Sequence, residues 1–227
     1  MGILYIVATP IGNLQDITIR ALEILKEADL ILCEDQRVTR KLLAHYQINT
    51  RTSSYHQHSN LQKLHYIINF LQNGKKIALV SDSGTPGISD PGEKLIAQAL
   101  KECKNLIISP IPGSSALVSA ASISGFPMEK FLFLGFPPTK KKRKRFFEEI
   151  GKSKYPVIFY ESPYRILKTL NELDETIRKF HTKSIQIAAC RELTKKFETV
   201  YRGEIGKVIE KIKEEGARGE FTVVVGK

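Results

Sequence analysis

The sequence predicts a two-domain α/β protein, with a parallel sheet in the first half and a mixed sheet in the second. In the first half, short apolar segments alternate with segments of helical periodicity, which is typical of strand–helix–strand units. Those apolar segments are continuous, as expected for strands that are buried on both faces. In the second half, strand-like segments follow one another with fewer helices between them, which favours antiparallel pairing.

The first half divides into strands and helices in the following order. Asp16 is the predicted N-cap of the first helix. Asp90, Pro91 and Glu93 form a helix start with a cap, a proline in the first turn and a capping-box acid. The predicted segments are the strand ILYIVAT, the helix DITIRALEILKEA, the strand DLILCED, the helix NLQKLHYIINFLQNG, the strand KIALV, a helix after Asp90 and the strand NLIISPI.

The second half contains five predicted strands and is assigned to a separate domain. We place the N-terminal parallel α/β domain at residues 1–115 and the C-terminal mixed-sheet α/β domain at residues 116–227. The predicted strands are KFLFLGFPP, YPVIFYESP, SIQIAACRE, FETVYRGE and EFTVVVGK.

Four loops follow the strands of the parallel sheet and share its carboxyl edge, where such sheets bind ligands. Their sequences are TPIGN, CEDQR, SDSGTPG and IPGSS. Neither the P-loop pattern nor G-x-G-x-x-G occurs in them, which argues against ordinary phosphate-loop and NAD sites. The small residues of 81–92 predict a backbone that approaches a ligand closely. Asp82 is equally compatible with a cap and with ligand contact, whereas Ser114 and Ser115 alone favour helix capping.

Charge points to a polyanionic partner. Lys and Arg number 35 against 24 Asp and Glu, a net charge of +11, and six consecutive basic residues form the run 140–145. Such a run neutralises phosphates, or else forms a solvated helix face. His56 and His58 have no third ligand at useful spacing, so no metal site is expected. No apolar run reaches the length of a membrane span, and a cytoplasmic protein is expected.

Several segments together resemble the ribosomal RNA small subunit methyltransferase I family, within the tetrapyrrole methylase-like superfamily. The resemblance extends in order along almost the whole chain, and TPIGNL, SDSGTP and RELTK are its most specific strings. The other segments are ADLILCEDQRVTRKLL, PIPGSSAL, FLGFPP and FYESPYRI. Gln36 and Ser114 stand where family members often have Thr and Pro.

The resemblance implies a homodimeric methyltransferase with S-adenosylmethionine in a cleft between its domains. The implied substrate is the ribose 2'-hydroxyl of a cytidine in the decoding region of small-subunit (16S) rRNA, as free RNA or in the 30S subunit. The implied cofactor-binding residues are Pro10, Ile11, Gly12, Asp82, Gly84, Thr85, Gly87, Ser114 and Ser115.

Catalysis and RNA binding are assigned to residues of the second domain. Glu161 and Glu192 are candidates for a base or orienting group, with Arg191 as a partner for phosphate or carboxylate. Salt-bridged surface groups are the alternative for all three. The candidate RNA-binding residues are Lys140, Lys141, Lys142, Arg143, Lys144 and Arg145.

Two other functions remain open at this point. One is a methylase of the same fold that acts on a tetrapyrrole precursor or a protein side chain, although neither substrate needs a hexabasic segment. The other is a non-catalytic RNA-binding assembly factor. The second would be expected to have filled or charged loops at the sheet edge, but the small residues of 81–92 and 111–115 remain.

Overall fold

The computed structural model describes residues 1–56, 61–90, 92–180 and 184–227. The chain divides into two compact units, Met1–Ser115 and Ala116–Lys227, each with one five-stranded sheet. Among the described residues, no helix is long and apolar enough to cross a membrane. His58 and Pro91, which the sequence analysis considered for a metal site and a helix start, lie outside the described residues.

The first unit is a parallel sheet with helices on both faces, as predicted. Its strands lie in the order β3-β2-β4-β1-β5, and all neighbours are parallel. Its elements are β1 Ile3–Val7, a 3₁₀ turn Leu14–Asp16, α1 Ile19–Glu27, β2 Leu30–Cys33, α2 Gln36–His45, β3 Thr52–Ser54, α3 Leu61–Gln72, β4 Lys76–Val80, α4 Gly92–Glu102 and β5 Ile107–Ile111.

Alternate residues of one strand explain why both faces are covered. In β2, Leu30 and Leu32 belong to the core cluster that includes residues of α3 and α4. Ile31 and Cys33 belong to a second cluster with residues of α1 and α2. Since successive side chains of a strand point to opposite faces, a continuously apolar strand needs helices on both sides.

The structure corrects the predicted start of the first helix. α1 begins at Ile19 with Thr18 as its N-cap, and the Thr18 hydroxyl accepts a hydrogen bond from Ala21 N at 3.1 Å. Asp16 is not the cap, because it ends the preceding 3₁₀ turn. The cap predicted at Asp90 is confirmed, since its carboxylate accepts a hydrogen bond from Gly92 N at 3.2 Å.

Two elements of the first unit were missed. α2 is mostly polar and buries only Thr39, Leu42 and Leu43, which lie on one face at helical spacing that the sequence analysis overlooked. β3 has the sequence TSS and only partly buried residues. Its strand conformation comes from pairing with β2 at the sheet edge, not from an apolar pattern.

The second unit has the mixed sheet that was predicted, and all five predicted strands belong to it. The strand order is β6-β7-β10-β8-β9; β6 and β7 are parallel and the other neighbours antiparallel. Its elements are α5 Ala116–Ile123, β6 Leu132–Phe133, α6 Arg143–Lys152, β7 Val157–Glu161, α7 Ile166–Ile177, β8 Gln186–Arg191, β9 Thr199–Glu204, α8 Ile205–Glu215 and β10 Phe221–Val225.

Helices cover this sheet unequally. Residues of α6, α7 and α8 share one apolar core with Val157 and Phe159 of β7. Tyr160, the residue after Phe159, points to the other face, where its hydroxyl is hydrogen-bonded to the backbone of Leu117 in α5. β7 therefore ends between two helical layers, with Glu161 as its last residue.

Candidate functional site

Hydrogen bonds join the loops at the carboxyl edge of the parallel sheet. Thr9 and Gly84 exchange two backbone hydrogen bonds, with N···O distances of 2.9 and 3.1 Å, which link the loops after β1 and β4. Asp35 N donates to Asp82 Oδ1 at 3.0 Å and links the loop after β2 to that after β4. The loops therefore form one connected edge, as expected from the parallel topology.

Two glycines allow these loops to approach one another. Gly84 has φ +84°, a conformation that L side chains rarely adopt, and an added Cβ would lie 3.3 Å from Ile11 Cγ2. At Gly113 an added Cβ would lie 3.0 Å from the Cβ of Ala8. Glycine at both positions keeps backbone, not side chain, along this edge.

The nine predicted cofactor-binding residues all lie on this edge, but their side chains differ in what they contact. Thr85 Oγ1 donates to Ser114 O at 3.2 Å, and Ser114 Oγ donates to Asp16 O at 3.2 Å. Ile11 is buried, whereas Gly12 and Asp82 are exposed. Thr85, Ser114 and Ile11 thus hold the loops in place, and Gly12 and Asp82 face outward.

Glu34 lies on this edge; the segment CEDQR offered it, with Asp35 and Arg37, as a possible substrate-orienting group or a salt-bridged surface group. Burial raises the pKa of its carboxyl group, and the negative charges of Asp90 and Asp82 raise it further. Three carboxylates that are separated in sequence therefore influence one another here. Asp35 behaves differently, because the side-chain hydrogen bond from Arg37 lowers its pKa to about 2.

In the second unit, Glu161 is the centre of a buried polar network. Its carboxylate is 1% exposed and pairs with Arg165 Nη2 at 2.7 Å. It also accepts hydrogen bonds from Ser162 N at 2.8 Å and from Thr169 Oγ1 at 2.6 Å. Both carboxylate oxygens are engaged, as a buried charge requires.

Arg143 belongs to the same network, although the sequence analysis grouped it with the basic run. Its guanidinium donates to Thr169 Oγ1 at 2.7 Å, to Glu172 Oε2 at 2.5 Å and to Pro138 O at 3.0 Å. It also lies over the ring of Phe147, 5.0 Å from the centroid. The side chain is only 11% exposed, so its charge is used within the unit.

The other members of the run are exposed. Lys144 has a side-chain exposure of 86% and makes one long contact with Glu148, at 3.9 Å. The five exposed cations of the run are Lys140, Lys141, Lys142, Lys144 and Arg145. They form a cationic surface at the start of α6, and the hydrogen bonds of Arg143 fix this helix start to Pro138 and to α7.

Arg191 and Glu192, at the end of β8, are also engaged with protein groups. Arg191 donates to Thr199 Oγ1 at 3.2 Å and lies 5.7 Å from the centroid of the Tyr201 ring. Glu192 pairs with Lys195 at 2.9 Å and accepts from Glu220 N at 2.9 Å. Burial raises the pKa of Glu192, but these hydrogen bonds outweigh it, so its pKa is below the ordinary value.

Comparison with known proteins assigns the chain to a family. The sequence pattern of the "Tetrapyrrole (Corrin/Porphyrin) Methylases" matches residues 3–209. The chain is 45% identical to the "Ribosomal RNA small subunit methyltransferase I" of Halalkalibacterium halodurans, over 99% of this chain and 75% of that protein. It is 42% identical to the protein of the same name from Thermotoga maritima, over 99% of this chain and 98% of that protein. The chain belongs to the ribosomal RNA small subunit methyltransferase I family.

Solved structures support the fold of this small subunit methyltransferase I family member. A uroporphyrin-III-C-methyltransferase from Thermus thermophilus superposes with a TM-score of 0.68 at 19% identity, covering 100% of this chain and 95% of that one. The methyltransferase CobJ superposes with a TM-score of 0.72 at 20% identity, with the same coverage. The chain therefore has the tetrapyrrole methylase fold, as the resemblance implied.

For this family member, sequence reasoning found the loops but missed how they are connected. Thr9 and Ser81 are both buried, and their hydroxyls bond the carbonyls of Ser81 and Gly84 at 3.1 and 3.0 Å. A hydroxyl residue directly after an apolar strand was the available signal. Thr169 and Glu172 lie in the middle of α7, and nothing in the sequence linked them to Glu161 and Arg143.

Proposed function

We propose that this protein transfers the methyl group of S-adenosylmethionine to small-subunit rRNA, at the ribose 2'-oxygen of a cytidine in the decoding region. The supporting observation is near-full-length similarity, at 42–45% identity, to proteins named ribosomal RNA small subunit methyltransferase I. The proposed setting is the cytoplasm, with an unmethylated small subunit or its rRNA as substrate. Dimerisation stays a prediction, which analytical ultracentrifugation would test.

The edge loops of the first unit suit the proposed cofactor. S-adenosylmethionine carries an ammonium, ribose hydroxyls and a sulfonium, and it supplies the methyl group that is transferred. Asp82 offers a carboxylate with one oxygen that accepts from Asp35 N, so the other remains for a hydroxyl or ammonium. Gly12 and Gly113 are exposed and present backbone groups without side chains in the way. The remaining predicted residues, Pro10, Ile11, Gly84, Thr85, Gly87, Ser114 and Ser115, shape the edge.

The cationic surface suits the proposed RNA. Lys140, Lys141, Lys142, Lys144 and Arg145 are exposed, and each contact with a phosphate would release counterions. Arg143 is excluded from this role in the proposal, because its guanidinium is used by Glu172, Thr169 and Pro138 O.

Glu161, Arg191 and Glu192 are proposed to orient substrate-binding loops, not to remove the proton of the ribose hydroxyl. Each carboxylate already accepts two or more hydrogen bonds and has a cationic partner, so its oxygens are occupied by protein groups. Replacing Glu192 with Gln should therefore raise KM for the subunit several-fold and change kcat little. A fall in kcat alone would instead indicate proton transfer.

The test is methyl transfer from labelled S-adenosylmethionine to small subunits that lack the modification, with the labelled nucleotide mapped. Asp82→Asn should weaken cofactor binding, measured by calorimetry, whereas Lys144→Ala should not. Label at one ribose 2'-oxygen supports the proposal. Cofactor binding without label on RNA would contradict rRNA as the substrate, and so would methyl transfer to a tetrapyrrole precursor. If the wild-type protein does not bind the cofactor, the proposed enzymatic activity is wrong and a role as an assembly factor is favoured.

A further inference from the structure

Three segments of the second unit meet around one short loop, residues 135–138. Gly135 O accepts a hydrogen bond from Tyr160 N at 2.9 Å, at the end of β7. Pro137 O accepts from Arg165 Nη1 at 3.3 Å, in the loop after β7. Pro138 O accepts from Arg143 Nη1 at 3.0 Å, at the start of α6. The loop is therefore fixed to both neighbouring segments.

The loop 135–138 and the loop after β7 each present an aromatic ring to solvent. Phe136 lies between Gly135 and Pro137 and is 52% exposed, with its ring centroid 5.4 Å from that of Tyr160. Tyr164 immediately precedes Arg165 and is 96% exposed. A tyrosine ring this exposed gains nothing from burial within the unit, so packing does not explain it.

The segment before and at the start of α6 presents cations. Residues 140–142 lie between Pro138 and Arg143, both of which take part in the fixed arrangement, and Lys144 and Arg145 follow in the first turn of α6. The hydrogen bonds of Arg143 and Arg165 thus tie together the segments that carry the two aromatic rings and the five cations, and Glu161 binds Arg165 at 2.7 Å.

We propose that Phe136 and Tyr164 stack on unpaired bases of an RNA strand whose phosphates contact Lys140, Lys141, Lys142, Lys144 and Arg145. This inference rests on the proposed function, because it names the surface that receives the RNA. Stacking requires unpaired bases, since the bases of a duplex are already stacked on one another. The occupant is therefore single-stranded RNA, to which the adjacent cations are complementary in charge.

Stacking and charge contacts respond differently to salt, and the experiment uses that difference. The probes are an end-labelled oligoribonucleotide without internal pairing and the same strand annealed to its complement. Tyr164→Ala should weaken binding of the single strand about five- to fifty-fold and leave the slope of log affinity against log salt unchanged. Tyr164→Phe should bind as the wild type does, because the ring remains.

Lys144→Ala provides the electrostatic comparison and Tyr155→Ala the positional control. Lys144→Ala should reduce the salt slope by about 0.7, because one phosphate of a single strand is no longer neutralised. Tyr155 is also an exposed aromatic of this unit, but it precedes β7, at the opposite end of that strand from Tyr164. Its replacement should change neither affinity nor slope.

A spectroscopic readout does not depend on affinity. The chain contains no tryptophan, so Tyr164→Trp introduces a single tryptophan, which can be excited selectively at a wavelength where the tyrosines do not absorb. Its emission should be quenched by the single strand and much less by the duplex, whereas that of Tyr155→Trp should not change. Since Tyr164 is almost fully exposed, its variants should not affect folding.

The outcomes separate this inference from the proposed function. If the wild-type protein methylates small subunits but Tyr164→Ala binds the single strand as tightly as the wild type, the stacking surface is wrong and the function stands. If Tyr164→Ala weakens binding and Tyr164→Phe restores it, the surface is supported, even where no methyl transfer to RNA is found. Equal quenching by strand and duplex would also overturn the inference.

Discussion

At the residue scale, carboxylates that look alike in sequence differ in what surrounds them. Glu34 and Glu192 each directly follow a strand, and the buried Glu161 is the last residue of its strand. The pKa of Glu34 is raised by burial and by neighbouring carboxylates, whereas that of Glu192 is lowered by hydrogen bonds that outweigh burial. Folding should therefore depend on pH in opposite ways for the two residues.

Glu34→Gln should raise the melting temperature at pH 7 by about 2 °C and leave it unchanged at pH 4. A raised folded-state pKa means that the fold favours the neutral carboxyl of Glu34. The stability from this neutral group is present below the ordinary pKa of 4.5 and is lost as pH rises through the folded-state pKa. Thermal denaturation of both proteins across this pH range is the measurement.

Glu192→Gln is the matched control of opposite sign. Its lowered pKa means that the fold favours the ionised carboxylate. The stability from this carboxylate is present above the ordinary pKa of 4.5 and is lost as pH falls through the folded-state pKa. Glu192→Gln should consequently melt lower than the wild type at pH 7 and approach it in acid. The same pH response in both variants would contradict the assignment.

Glu161→Gln should lower the free energy of unfolding by about 2 kcal/mol, because it leaves Arg165 without its buried partner. Arg165 is partly exposed and has other acceptors, which limits the loss. The control is Glu204→Gln, where the pair with Lys207 is exposed and 3.9 Å long; its cost should stay below about 0.5 kcal/mol. Urea denaturation would measure both, and equal costs would argue against the buried network.

At the element scale, the start of α6 depends on one member of the basic run. Helix α6 follows Lys142, which has φ +68° and makes no side-chain cap, so the helix start lacks the usual local stabilisation. Arg143 instead joins this turn to Thr169 and Glu172 of α7 and to Pro138 O. The helix is thus positioned by a contact between elements.

Arg143→Ala should destabilise the protein by about 2 kcal/mol, since it removes three hydrogen bonds of a nearly buried guanidinium. Lys144→Ala, in the next position and largely exposed, should change stability by less than about 0.5 kcal/mol. Denaturant unfolding compares the two. Similar costs for both variants would mean that Arg143 is not an anchor.

The loop after β4 offers a second contrast within an element. Gly84→Ala should cost about 1–2 kcal/mol, because φ is +84° and the new Cβ would lie 3.3 Å from Ile11. Gly206→Ala, in the first turn of α8 with nothing within 4 Å of the new Cβ, should stabilise by about 0.5 kcal/mol. Calorimetric melting distinguishes the signs, and a neutral Gly84→Ala would contradict the backbone argument.

At the scale of the whole molecule, a net charge of +11 acts on RNA only through the cations that are exposed. Replacing Lys140, Lys141 and Lys142 with Gln should reduce the salt slope of single-stranded RNA binding by about 0.7 for each phosphate no longer neutralised, without loss of stability. Replacing three lysines of α8, Lys207, Lys211 and Lys213, lowers the net charge equally and should leave the slope nearly unchanged. Equal effects would indicate non-specific attraction by total charge.

The fold class, the family and the edge on which the loops lie all follow from the amino-acid sequence. Apolar runs of strand length, glycines after β4 and β5, and acids or hydroxyls after strands are local signals, and the structure confirms the two sheets that they predict. Of the two missed elements, α2 has helical spacing that was overlooked and joins a core cluster through Leu43, whereas β3 has a weak local pattern and is stabilised by pairing with β2.

Which charges are available for function depends on the folded structure and could not be read from the sequence. Arg143 and Lys144 are adjacent in one run, yet one is an internal anchor and the other is exposed, because α7 supplies Thr169 and Glu172 on one side of α6 only. Likewise, Arg165, which pairs with Glu161, also donates to Pro137 O, 28 residues earlier in the chain. A charged residue's surroundings come from segments distant in sequence, so its role follows from folding and not from its local pattern.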